Sequence, residues 1–144
     1  MAKTLIVGSD HAGFALKKEL AAVAREAGYE VQDLGTDSTE STDYPDYAHK
    51  VAVAVADNGA LGLLVCGTGI GMSMAANRHA GVRAALCGDI FSAAQSRAHN
   101  NANILCIGSR VVGPGLAGEI LKAFLGADFE GGRHERRVNK IDAG

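Results

Sequence analysis

LGLLVCGTGIGMSMAANR, residues 61–78, passes from an apolar run into glycine at every second position, Gly67, Gly69 and Gly71, and then into a segment of helical period. A short apolar run that ends in a glycine turn and opens a helix reads as a buried strand of a parallel sheet. The rhythm repeats on both sides. TLIVG (4–8) precedes a helical segment over about 14–27, and YEVQDLG (29–35) follows it. After the polar loop TDSTESTDYP comes a helix over about 47–57, then the quoted strand, its loop and a helix over 72–78. VRAAL (82–86), a helix over 89–98, NILCIG (103–108) and a helix over about 116–125 complete the pattern. Five apolar strands alternating with helices predict an α/β fold. The expected form is a three-layer α/β/α sandwich around a Rossmann-like five-stranded parallel sheet with right-handed crossovers. With 144 residues, 47% of them hydrophobic, the chain suits one domain spanning 1–144.

Composition narrows the partners. A net charge of -2 offers no electrostatic footprint for nucleic acid or an acidic membrane, so a small molecule is expected. The start MAKTLIVGSD holds only a short apolar run and does not read as a signal peptide, and no later run has the length of a membrane span. A cytoplasmic protein is expected. Cys66, Cys87 and Cys106 are odd in number and lack C-x-x-C spacing, which argues against zinc clusters and disulfides alike.

The glycine loop fits neither common nucleotide motif. Read as G-x-G-x-x-G it ends on Met72 or Met74, and the Lys-Ser/Thr pair of a P-loop is absent after Gly71. What remains is a run of uncovered backbone N–H groups that suits an anion, either a phosphate or an oxyanion formed in a reaction. The first strand also ends in a loop of reactive residue types, GSDHAG (8–13). Ligands of open parallel sheets sit at strand carboxyl ends where the strand order reverses, commonly between the first and third strands. Asp10 and His11 therefore meet Cys66 and its loop at one predicted crevice. Plainer readings stand beside these: Asp10 as a helix N-cap, Cys66 as a buried structural thiol, His99 as a helix C-terminal cap. The segment from about 129 to 144 breaks the rhythm. If helical, it puts Arg133, Arg137 and Lys140 on one face, as a solvated surface or as guanidinium forks for a phosphate.

Six motifs stand in order along the chain: GSDHAGF (8–14), TDYP (42–45), CGTGIGMSMAANR (66–78), RAHNNAN (97–103), GSRVVG (108–113) and GGRHERRV (131–138). Together they resemble the type B ribose-5-phosphate isomerases, the family that also holds galactose-6-phosphate and allose-6-phosphate isomerases. The resemblance runs from residue 4 to about 141.

It implies an aldose–ketose isomerase of the pentose phosphate pathway. This enzyme would use no cofactor or metal and work as a homodimer or homotetramer on a sugar phosphate. Cys66 matches the base that moves the proton between C2 and C1, and His99 matches the acid that opens the furanose ring. Some members carry a glutamate in the loop instead of the cysteine, but Ile70 to Asn77 contains no carboxylate here. Gly67, Thr68, Gly69, Ile70 and Gly71 would hold the enediolate oxygen, with the Thr68 hydroxyl contributing. Asp10, His11 and Asn100 would contact the sugar phosphate, and Arg110, Arg133 and Arg137 chiefly its phosphate. The tail is expected to pack on a neighbouring subunit and complete that subunit's site. His49, His79 and His134 are given surface or packing roles. A six-carbon sugar phosphate as substrate, a non-catalytic sugar-phosphate sensor and a thiol redox protein are the rival readings. Intact Cys66 and His99 disfavour the sensor, and the lack of a cysteine near Cys66 disfavours the redox protein.

Overall fold

A computed structural model of the chain describes residues 3–144. The first two residues, which head the expected 1–144 domain and the segment read as no signal peptide, lie outside the described residues. The elements in chain order are β1 (Lys3–Ser9), α1 (Phe14–Glu26), β2 (Tyr29–Asp33), α2 (Tyr44–Asn58), β3 (Leu61–Cys66), α3 (Ile70–Ala76), β4 (Ala84–Leu86), α4 (Ile90–Ala98), β5 (Ile104–Gly108), α5 (Pro114–Gly126) and α6 (Arg133–Asp142). The five expected strands are present. Three helices, α2, α3 and α5, start two or three residues earlier than their sequence period suggests, α5 at Pro114 in its first turn. In α2 the reason is Pro45, which sits in the first turn, where its missing N–H costs nothing. In α3 the helix begins at Ile70, directly after Gly69 takes a left-handed turn at φ 79°.

The sheet order is β2-β1-β3-β5-β4, with all neighbours parallel. The chain builds outward from β1 to β2, then returns to place β3 on the other side. The order therefore reverses between β1 and β3, at the predicted crevice.

Period-two alternation along the central strands feeds two cores. Leu5, Val7, Leu63, Val65, Leu105 and Ile107 face α1, α4 and α5. Ile6, Leu64, Cys66, Ile104 and Cys106 face α2 and α3. Both faces of the central strands are covered, so they read as continuous apolar runs. Lys17 of α1 is fully buried, and its Nζ lies 2.8 Å from Asp33 Oδ1 and also donates to the Thr36 carbonyl. This strut ties the end of β2 and its following loop to α1. Among the described residues no helix is long and apolar enough to cross a membrane.

The basic tail is helical, as its charge spacing allowed. α6 buries His134 and Val138 and leaves Arg133, Arg137 and Lys140 exposed. It is held to its own chain by Arg83 Nη1, 3.2 Å from Asp142 Oδ2, and by the Glu130 N–H, which donates to Ala98 O at 2.9 Å.

Candidate active site

Two groups of expected site residues occupy opposite ends of the sheet. At the carboxyl end, Asp10 and His11 follow β1, Cys66 ends β3 and the glycine loop follows it, and Arg110 follows β5. The Asp10 N–H donates to Val65 O at 3.3 Å, and the Ser109 N–H donates to Cys66 O at 2.8 Å, so the three strand ends are laced together. Gly13 lies directly against β3: a Cβ there would stand 2.3 Å from Val65 O. Its N–H donates to Asp10 Oδ1 at 3.0 Å, a contact that closes the turn before α1; the N-cap of that helix is Gly13, with no side chain capping it, so Asp10 is not the N-cap the sequence offered.

The loop is shaped around the thiol. Cys66 is buried, and its Sγ accepts the Gly69 N–H at 3.1 Å, a contact that negative charge on sulfur strengthens. Gly69 is required twice over: its φ of 79° disfavours any side chain, and a Cβ would stand 2.6 Å from Leu86 Cδ1 and 3.0 Å from the Ile107 carbonyl carbon. The Ile70 N–H donates to Thr68 Oγ1 at 3.2 Å, which leaves the hydroxyl proton of Thr68 free to point outward. Of the five loop amides expected to face an anion, those of Gly69 and Ile70 are thus engaged inside the loop. The N–H groups of Gly67, Thr68 and Gly71 make no hydrogen bond to another described residue. The Arg110 side chain lies over Gly67, and the Tyr44 ring over Gly71. His11 Nδ1 accepts the Thr42 N–H at 3.1 Å, so a neutral ring carries its proton on Nε2 and presents a donor there.

The second group lies at the amino end. α4 runs back from the carboxyl end of β4, so its last turn and its C-cap His99 stand beside the start of β5. Nine helical residues span about 13 Å, roughly the depth of the sheet. Asn100, Arg133 and Arg137 share this end and are exposed. His99 stacks on His134 with ring centroids 4.1 Å apart and planes 9° from parallel. Glu130 Oε1 lies 3.6 Å from His99 Nε2 and 3.7 Å from His134 Nε2. Burial, then the neighbouring His99 and Arg133, push His134 below the usual histidine range. These three side chains offer metal-ligand atoms within 4.8 Å of one another. Parallel stacked rings cannot both aim an in-plane lone pair at one ion, however, so the cluster as folded is not a metal cradle. A cleft of about 580 Å³ also opens at this end, lined by Arg78, His79, Arg83, Asn100, Ile141 and Asp142 among others, and it does not reach Cys66.

The family model for Ribose/Galactose Isomerase matches residues 5–141. The chain belongs to the ribose/galactose isomerase family. It is 54% identical over 142 residues to ribose-5-phosphate isomerase B of Escherichia coli, covering 98% of this chain and 95% of that one. It is 43% identical to D-erythrulose-4-phosphate isomerase of Pectobacterium atrosepticum, covering 96% of this chain and 92% of the relative. The solved structure of Clostridium thermocellum ribose-5-phosphate isomerase B superimposes with a TM-score of 0.95 at 50% identity, over 97% of this chain and 95% of that one.

In this family member the two loops expected at the crevice do meet there, whereas Tyr44 and Glu130, which lie against candidate site residues, have no role assigned from the sequence. Tyr44 lies within the TDYP motif, but its place over the glycine loop depends on how α2 docks. His134 was given a surface or packing role. It is buried, and its packing partner is His99. Glu130 carried no signal beyond its spacing of four from His134. His49 and His79, also left without a catalytic role, pair with each other at 2.6 Å on the surface.

Proposed function

We propose that the protein interconverts D-ribose 5-phosphate and D-ribulose 5-phosphate through an enediolate. The observation that carries this reading is the Cys66 sulfur, set in a glycine loop with the Gly69 N–H aimed at it, in a chain 54% identical to a ribose-5-phosphate isomerase B. Cys66, as thiolate, takes the C2 proton and returns it to C1. The free amides of Gly67, Thr68 and Gly71, with the Thr68 hydroxyl, receive the enediolate oxygen, and one such donor is typically worth about 10²–10³-fold in rate. In ring opening the C1–O4 bond breaks, O4 takes a proton from His99, and the O1–H proton passes to Asp10 as the C1 carbonyl forms. Asn100 orients sugar oxygens. His11, Arg110, Arg133 and Arg137 hold the phosphate.

These roles cannot be filled from one chain, because Cys66 and His99 lie at opposite ends of the same sheet. The site is therefore composite, with the carboxyl end of one protomer facing the amino end of its partner in a homodimer. Exposed apolar side chains around the carboxyl end, Ile70, Met74, Leu86, Ile90, Phe91 and Val111, suit burial against a second copy. The tail, docked on its own chain, then serves the neighbour's site by presenting Arg133 and Arg137 across the boundary.

A substrate of another length is the second reading, favoured by the likeness to a D-erythrulose-4-phosphate isomerase. Measuring kcat/KM for ribose 5-phosphate, allose 6-phosphate, galactose 6-phosphate and erythrose 4-phosphate with purified protein decides between them. The five-carbon substrate is expected to lead, and a higher value for any other overturns the assignment.

A further inference from the structure

A histidine at the end of a helix, more than a third exposed, would ordinarily sample several ring orientations. His99 is 39% exposed at its side chain, yet it is held on two sides. Beneath it lies the His134 ring, nearly parallel at 4.1 Å and itself only 11% exposed. Beside both rings stands the Glu130 carboxylate, with one oxygen 3.6 and 3.7 Å from the two Nε2 atoms. Glu130 is not a passing surface group, because its N–H donates to Ala98 O at 2.9 Å and so closes the last turn of α4 directly before His99. His134 is fixed in turn by the first turn of α6 and by the burial of Val138 one turn later.

We propose that His134 and Glu130 are positioning residues for ring opening: they clamp the His99 imidazole in the orientation from which it protonates the furanose oxygen. The inference rests on the reading of His99 as the ring-opening acid. The chemistry of the two clamp groups fits the task. A neutral His134 ring presents a π face to His99 without placing a second positive charge against it, and an imidazolium over such a face is attracted to it. Burial, His99 and the nearby Arg133 and Arg137 all favour the neutral form of His134, and only Glu130 opposes them. Among the described residues Glu130 supplies the negative charge beside the pair, which offsets the positive charge of a donating His99. The proton that goes to the sugar oxygen comes from His99 alone; neither clamp residue gains or loses one in the step.

The test isolates ring opening from proton transfer at carbon. In a Cys66→Ala background, which cannot isomerise, α and β furanose anomers of ribose 5-phosphate interconvert only through the open chain. Magnetisation-exchange NMR reads that rate directly. Cys66→Ala protein is expected to accelerate anomer exchange, and adding His99→Asn should return it to the rate in buffer. Adding His134→Asn or Glu130→Gln should lower the acceleration about tenfold with substrate affinity unchanged. His134→Phe, which keeps a flat ring, should retain more of it than His134→Asn. Glu130 is exposed, so Glu130→Gln gives an answer even if the His134 variants fold poorly. Undiminished acceleration in Glu130→Gln and in every folded His134 variant overturns the clamp while leaving His99 in place. Acceleration that survives His99→Asn overturns the acid assignment on which the clamp depends.

Discussion

Cys66 differs from the other two thiols in what surrounds its sulfur. Burial pushes both Cys87 and Cys106 up from the ordinary thiol value, which favours their protonated forms at neutral pH. Cys66 instead receives the Gly69 backbone N–H inside the glycine loop. Cys66→Ala should lower isomerisation by at least the roughly 10²–10⁴-fold typical of losing a positioned base, with ribose 5-phosphate still bound in a calorimetric titration. Cys87→Ala should keep near wild-type turnover, and a loss comparable to that of Cys66→Ala would move the base away from the loop. At this scale the sequence was legible where a residue's role follows from its own strand end. Asp10, His11 and Cys66 lie at carboxyl ends of adjacent strands, and the alternation of strands and helices suffices to place them there. The stack of His134 on His99 was not legible, since it depends on how the residues between α4 and α6 fold back, and nothing in either local pattern encodes that.

Among the elements, the glycine loop and α3 form the most demanding unit. Gly69 joins β3 to α3 with a left-handed φ and no room for a methyl group against Leu86 and the backbone of Ile107. Gly69→Ala should cost about 1–3 kcal/mol of stability through backbone strain and turn the amide away from Cys66. Thermal denaturation should show a melting temperature lower by several degrees, accompanied by a fall in kcat of about tenfold or more. An unchanged kcat would separate the loop's geometry from the chemistry. The same glycines explain why the start of α3 was misread. Glycine is a poor helix former, so Gly69 and Gly71 made the helix look as if it began at Met72, whereas Gly69 supplies the turn and Gly71 already lies inside. Strands were easier to read because both sheet faces are covered and the apolar runs are unbroken.

On the scale of the whole molecule, a parallel sheet separates the ends of its helices from the ends of its strands. One protomer therefore carries the two groups of candidate residues at opposite ends of its sheet. Mixing Cys66→Ala and Arg137→Ala proteins under conditions that exchange subunits should restore activity. A mixed dimer has one site with both defects and one with neither, so random exchange in an equal mixture predicts about a quarter of wild-type activity. No recovery, with exchange verified by native mass spectrometry, would place Arg137 and Cys66 in the same protomer's site. The separation could be anticipated from element order alone, since a helix that follows a strand of a parallel sheet must run back to the other end. Lys17, sealed beneath α1 between Asp33 and Thr36, bears on the same whole-molecule scale. Its neighbour Lys18 is exposed, so the two amines share a sequence context and differ in access. An acylating reagent should label Lys18 at once and reach Lys17 only when α1 lifts from the sheet. Peptide mass spectrometry over time would then give two traces, and the slow one would serve as a chemical clock for opening of the fold. Equal rates at both lysines would mean that α1 detaches freely in the native protein.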